Sequence, residues 1–148
     1  FHYFKSKLEL AERALETFLE RLVAAPLRSV LASEAPLEEK VESLVALSVG
    51  VTIRSGAKPL LFLAGVYEEL RSRGRGQFVR RFYEEYVRTF ADFLRGSGVP
   101  EPELRARVLM AALDGLALQC MIAPDLFRDE EFVRALGREL ARMLRCEP

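Results

Sequence analysis

Apolar residues recur along this chain at three- and four-residue intervals, and no segment alternates apolar and polar positions long enough to make a strand. The pattern predicts an all-α domain of about six helices. Ser6 followed by Glu9 has the spacing of a capping box, in which hydroxyl and carboxylate satisfy free N–H groups at a helix start. The first helix is therefore expected from Ser6 to about Ala24, with Leu8, Leu15, Phe18, Leu19 and Leu22 on one side and Pro26 as its end. A second begins near Pro36 and turns Leu37, Val41, Leu44, Val45, Ser48 and Val51 inward until Ser55-Gly56 stops it. A third opens at Lys58-Pro59 and passes through Phe62 and Val66 to Leu70. The Arg- and Gly-rich run from Arg71 to Gly76 reads as a charged surface turn rather than a phosphate site, since Glu68 and Glu69 stand beside it.

The later half is more unusual. From about Gln77 to Arg95, Phe78, Phe82, Tyr86, Phe90 and Phe93 recur at helical spacing with Val79, Tyr83, Val87 and Leu94 alongside, too wide a stripe for one flat packing partner. Large rings at that spacing leave two alternatives, a solid aromatic core or a cavity that holds a ligand. The pocket expected on the second alternative is lined by Val51, Phe62, Phe82, Phe90 and Leu113, with Tyr86, Arg54 and Asp114 as polar groups. Gly96, Gly98 and Pro100 mark a turn. A fifth helix then starts at Pro102 and ends at Pro124, and a sixth is capped by Asp129, with Glu130 four residues before Arg134 on its wet side.

Gly115 and Gly137 lie inside these last two helices, where each costs up to ~1 kcal/mol relative to Ala unless another helix approaches closely. The apolar positions there cover more surface than one core needs. A homodimer interface is expected through Leu109, Gly115, Leu116, Phe132, Leu136, Gly137, Leu140 and Met143.

Composition narrows the function classes. At 148 residues, half of them hydrophobic, the chain can bury a substantial core, and its formal net charge of +0 gives no electrostatic footprint for nucleic acid. The apolar stretch from Val108 to Ala123 is broken by Asp114 and Gln119, so no membrane span is expected, and no signal peptide is visible. Cys120 and Cys146 have neither metal nor disulfide-framework spacing, which fits a reduced, cytoplasmic protein. Asn is absent, Gln scarce and Arg far commoner than Lys, a bias open to explanation by heat tolerance or by codon usage. His2, the only His, has no acidic or Cys cluster near it, and no phosphate loop, nucleophile with its base, or Glu-x-x-His pair is present. Neither catalytic residues, metal nor cofactor is expected, and Asp114 remains the one carboxylate that interrupts an apolar helix.

Two short stretches carry a resemblance. Phe1-His2-Tyr3-Phe4-Lys5-Ser6-Lys7-Leu8-Glu9-Leu10 resembles the end of the DNA-binding domain in tetracycline-repressor (TetR) family regulators. Leu113-Asp114-Gly115-Leu116-Ala117-Leu118-Gln119, then Pro124-Asp125 and a last amphipathic helix, resembles the end of their regulatory domains. The resemblance implies that residues 1–5 are the tail of a helix-turn-helix reader and residues 6–148 a ligand-binding and dimerisation domain. It also implies that His2, Tyr3, Lys5 and Lys7 lie near operator DNA phosphates, that the rest of the reader is upstream, and that the last two helices of each subunit form a four-helix dimer interface. Phe1-His2 departs from the Tyr and second aromatic common in the family, which removes one hydroxyl from the phosphate contacts. The expected protein is a ligand-responsive regulator, a repressor that releases DNA on binding a small hydrophobic molecule. The competing class is a helical protein–protein interaction module with neither ligand nor DNA.

Overall fold

The computed structural model describes residues 6–55, 65, 68, 71–72 and 77–145, the side chains of Leu8, Gln77, Phe78 and Val79 apart. All secondary structure among these residues is helical. Helix α1 spans Lys7–Leu19, α2 Ala25–Ala32, α3 Leu37–Ser55, α4 Gln77–Gly96, α5 Pro102–Ile122 and α6 Glu130–Arg145. His2, Tyr3, Lys5, Phe62, all but Gly65 and Glu68 of the helix expected from Lys58 to Leu70, and Cys146 fall outside the described residues.

The expected caps are in place. Ser6 Oγ accepts the Glu9 N–H at 3.1 Å, and Asp129 Oδ1 accepts from the N–H groups of Glu131 at 2.9 Å and Phe132 at 3.3 Å, so both helix starts satisfy donors that would otherwise be bare. Helix α4 ends in a Schellman turn. The Val99 N–H bonds to Leu94 O and the Gly98 N–H to Arg95 O, which requires the positive φ of 73° found at Gly98. Val99 and Leu94, joined by that turn, are both buried.

Pro26 does not end the first helical run. Proline lacks an N–H and its ring crowds the carbonyl four residues earlier, so a regular α-helix cannot pass through it undisturbed. Here the turn before it widens: Glu20–Ala24 form a π-helical segment in which the Ala25 N–H reaches back five residues to Glu20 O. Pro26 then falls in the first turn of α2, where its missing donor is no loss, and the chain stays helical to Ala32. One expected inward residue changes side: Leu22, within the widened turn, is exposed, while Leu15 and Leu19 are buried.

Helix α3 is the central element, packed along α6 and α5 and flanked by α2, while α4 lies along α5. Val41, Leu44, Val45 and Val49 of α3 join Phe90 and Leu94 of α4, Leu109 and Leu113 of α5 and Leu140 and Leu144 of α6 in one core. The expected interface set divides accordingly. Leu109, Gly137 and Leu140 are buried within the chain, so they are not surface positions of a single subunit. Gly137 does mark a close helix approach, but the neighbour is α3 of the same chain, where a Cβ on Gly137 would lie 2.6 Å from Glu42 Cα. Leu116 and Leu136 are half-buried against the core. Of the expected set, Phe132 and Met143 are exposed, and nothing stands within 4 Å of where a Gly115 Cβ would project.

Helix α5 explains the division. It is apolar on two sides: Ala106, Leu109, Leu113, Ala117 and Cys120 face inward, whereas Leu104, Val108, Leu118 and Ile122 form a second, exposed row. Ile122 retains 75% of its surface. Among the described residues no helix is long and apolar enough to cross a membrane, and no group of three potential metal-binding side chains occurs.

Candidate functional site

A cleft of about 330 Å³ lies between α4 and the run formed by α1, the π segment Glu20–Ala24 and α2. Its volume falls at the small end of the range for ligand sites. One wall is built by Glu16 of α1, Glu20 and Ala24 of the π segment, and Leu27 and Arg28 of α2; the other by Phe82, Glu85, Tyr86 and Thr89, one face of α4. The residues of α4 recur at three- and four-residue steps, so a regular helix presents them together.

The floor is aromatic. The rings of Phe82 and Tyr86 stand 4.5 Å apart at 46°, and Tyr86 is 93% withdrawn from solvent, being 7% exposed. Its hydroxyl has no hydrogen-bond partner among the described residues. A buried phenol normally finds one, because leaving it bare costs about 1–3 kcal/mol. Burial, and then the negative charges of Glu20 and Glu85 against the opposing pull of Arg28, push the Tyr86 pKa up to about 12. The group is therefore a neutral O–H at any ordinary pH, able to donate one hydrogen bond and to accept others.

The rim is ionic. Both terminal nitrogens of Arg28 donate to the Glu20 carboxylate, bridging α2 to the start of the π segment. The pairing holds the Glu20 carboxyl below its usual pKa, through the hydrogen bond first, and raises that of Arg28. Arg13 pairs with Glu16 at 3.2 Å, whereas Glu85 has no ion pair among the described residues. A second, shallower cleft of about 570 Å³ opens beyond Arg28, around Lys40 and Phe93. Its polar groups are already engaged: Lys40 Nζ donates to Leu31 O at 2.9 Å and lies 5.6 Å from the Phe93 ring centre.

The pocket expected from the sequence is only partly assembled. Phe82 and Tyr86 reach the cleft, with Phe90 behind them in the core. Leu113 is packed inside, and its carbonyl accepts the Ser48 hydroxyl at 3.2 Å. Val51 and Arg54 lie towards the far end of α3, where the Arg54 guanidinium folds back over Gly50. Asp114 does not line the cleft; its carboxylate accepts the Tyr83 hydroxyl and ties α5 to α4. Burial raises the pKa of both groups, and for Asp114 the hydrogen bond from Tyr83 pulls the other way. Cys120, buried in α5 with its thiol pKa raised by that burial, is an inert core residue. Sequence patterning missed the whole Glu16 to Arg28 wall, because a helix ended at Pro26 leaves nothing for Glu20 to bridge. Lys7 is exposed at the first position of α1, on the side of the chain that leads to residues 1–5.

The family model for the tetracyclin repressor-like C-terminal domain matches residues 60–145, which include the α4 wall of the cleft but not the Glu16 to Arg28 wall. The fold is similar to that in the crystal structure of a transcriptional regulator from Rhodococcus sp. Rha1, with a TM-score of 0.74 and 21% identity over 99% of this chain and 79% of that one. No curated protein matches the chain. With more than half of its length matched, the chain belongs to the tetracyclin repressor-like family of transcriptional regulators, as the two terminal stretches suggested.

Proposed function

We propose that this chain is the ligand-sensing and dimerising part of a repressor whose hold on DNA weakens when a small, largely apolar molecule occupies the cleft between α1, α2 and α4. The observation that carries this reading is the buried Tyr86 hydroxyl, left without a partner on the aromatic floor of a cleft. A bound molecule that supplies the missing hydrogen bond recovers its cost.

Location supplies the coupling. Helix α1 forms part of the cleft wall and leads back to residues 1–5, which resemble the end of a DNA reader. A molecule that binds better when α1 is displaced biases the angle of that helix by its differential affinity for the two positions. In a dimer reading half-sites ~34–36 Å apart, a modest change of angle prevents both readers from docking together. Lys7, with His2, Tyr3 and Lys5 before it, then serves as a phosphate contact that positions the reader without reading bases.

Dimerisation is assigned to the exposed row of α5, Leu104, Val108, Leu118 and Ile122, with Phe132 and Met143 of α6. An exposed apolar face of this kind can pair with its own copy about a two-fold axis, and the bare flank of Gly115 lets two α5 helices approach. Sedimentation at micromolar concentration should give a dimer, and Ile122→Asp a monomer of unchanged helicity. The ligand role is tested in the full-length regulator: compounds that raise the melting temperature of this domain in proportion to their concentration should also release bound genomic DNA fragments. Binding with no effect on DNA would remove the sensing role, and a monomer with no such ligand would favour a helical interaction module instead.

A further inference from the structure

We propose that the cleft is selective for an organic monocation, a protonated amine carried on a compact apolar or aromatic body, with its ammonium held at Glu20 and Glu85 and its body on Phe82 and Tyr86. This rests on the cleft being the ligand site and adds the charge of the ligand, which the sequence alone left undetermined.

Among the described residues, three carboxylates, Glu16, Glu20 and Glu85, face the cleft against the single guanidinium of Arg28. That guanidinium is not available to an anion. Its two terminal nitrogens are both engaged by Glu20, so its charge is already neutralised at short range. Glu16 is similarly occupied by Arg13 from outside the cleft. Glu85 makes no salt bridge among the described residues, Arg28 acting on it only at longer range, and it lines the same cleft as Phe82 and Tyr86. An incoming carboxylate or phosphate would lose its hydration beside this excess of negative charge, whereas an ammonium would gain a partner.

The floor agrees with the rim. The faces of two adjacent rings attract cations through their quadrupoles, and the enclosed Tyr86 hydroxyl, without a partner among the described residues, lies in electrostatic reach of Glu20, Glu85 and Arg28 at the same rim. At about 330 Å³ the cleft suits one ring and a short chain rather than a large polycyclic body. The ammonium also competes with Arg28 for Glu20, so binding weakens the strut across the π segment without breaking any core contact.

The probe is a set of three compounds with one body and different heads: 4-phenylbutylamine, 4-phenylbutanol and 4-phenylbutyrate. Calorimetric titration of the 148-residue chain should show the amine binding at least tenfold more tightly than the alcohol, and the carboxylate not at all. In Glu20→Gln/Glu85→Gln, whose changes are at solvent-reached positions, the amine should lose at least tenfold in affinity while the alcohol changes less than twofold. Equal or tighter binding of alcohol or carboxylate would overturn the charge assignment and leave the ligand-sensing reading standing. If none of the three binds, or if the double variant binds the amine unchanged, the cation site itself is refuted; DNA release by some other compound would still report on the sensing role.

Discussion

The seam between α3 and α6 and the cleft between α2 and α4 show opposite solutions to the same packing problem. At the seam a residue has been reduced to nothing: Gly137 has no side chain, and α6 comes so close that a Cβ there would sit 2.6 Å from Glu42 Cα and 2.9 Å from its Cγ. At the cleft a large residue has been kept with its polar atom unpaired, and the helices stand apart. A glycine inside a helix and a bare buried hydroxyl are each unfavourable taken alone. The first is offset within the fold by the close packing it permits. The second has no such offset among the described residues, which is why the proposed ligand is placed at the cleft and not at the seam.

The largest effect expected from this contrast is at the seam. Gly137→Ala should destabilise the domain by about 1–3 kcal/mol despite the better helix propensity of Ala, because the atom it must displace is backbone. Thermal unfolding followed by circular dichroism measures it. An unchanged or raised melting temperature would show that α3 and α6 separate easily, and would remove the contrast. The same substitution at Gly115, where nothing lies within 4 Å, should have the opposite sign in a dissociated subunit, a gain of up to ~1 kcal/mol. In a dimer joined through α5 that gain should be offset by weaker association, so the two glycines separate intra- from inter-chain packing.

Those two glycines also mark the limit of what the sequence made legible. Capping and stop signals are local, and they placed α3, α4 and the cap at Asp129 within a residue or two, since Ser6, Asp129 and Gly98 each act on neighbouring N–H and C=O groups. Periodicity told that α5 is apolar but not which of its two rows is inside. Leu109 and Val108 are chemically alike and adjacent, yet the first is fully buried and the second exposed, and only the positions of α3 and α4 decide between them. Pro26 failed for a different reason. A proline is read as a stop because an α-helix cannot accommodate it, whereas a five-residue π segment can, and that segment created the wall of the cleft.

Tyr86→Phe sharpens the cleft side of the comparison. Removing a hydroxyl with no partner should leave stability within ~0.5 kcal/mol of the parent or raise it slightly, where loss of a bonded buried hydroxyl would cost more. A clear loss of stability would mean that the hydroxyl is bonded after all. At high pH the parent should fall behind the variant. The unfolded phenol ionises near 10 and the folded one near 12, so the unfolded state sheds its proton first and stability declines as pH rises between those values.

The smallest effect concerns Asp114, which distinguishes a polar group that is partnered from one that is not. Its carboxyl pKa is raised by burial, against which the Tyr83 hydrogen bond acts. With the folded pKa above the unfolded value, the unfolded chain loses this proton first as pH rises from about 4, and the folded state becomes less favourable until Asp114 too is ionised. The cost therefore exists at neutral pH and disappears in acid. Asp114→Asn, which keeps an oxygen for Tyr83, should be more stable than the parent at pH 7 by roughly 0.5 kcal/mol or less, the position being partly open to solvent, and equal to it near pH 3.5. In Tyr83→Phe the downward pull is gone, so the Asp114 carboxyl should titrate at higher pH than in the parent, a shift that carbon-detected NMR of the side chain would resolve. A shift to lower pH would mean that the phenol does not donate to this carboxylate and that α4 and α5 are tied by packing alone.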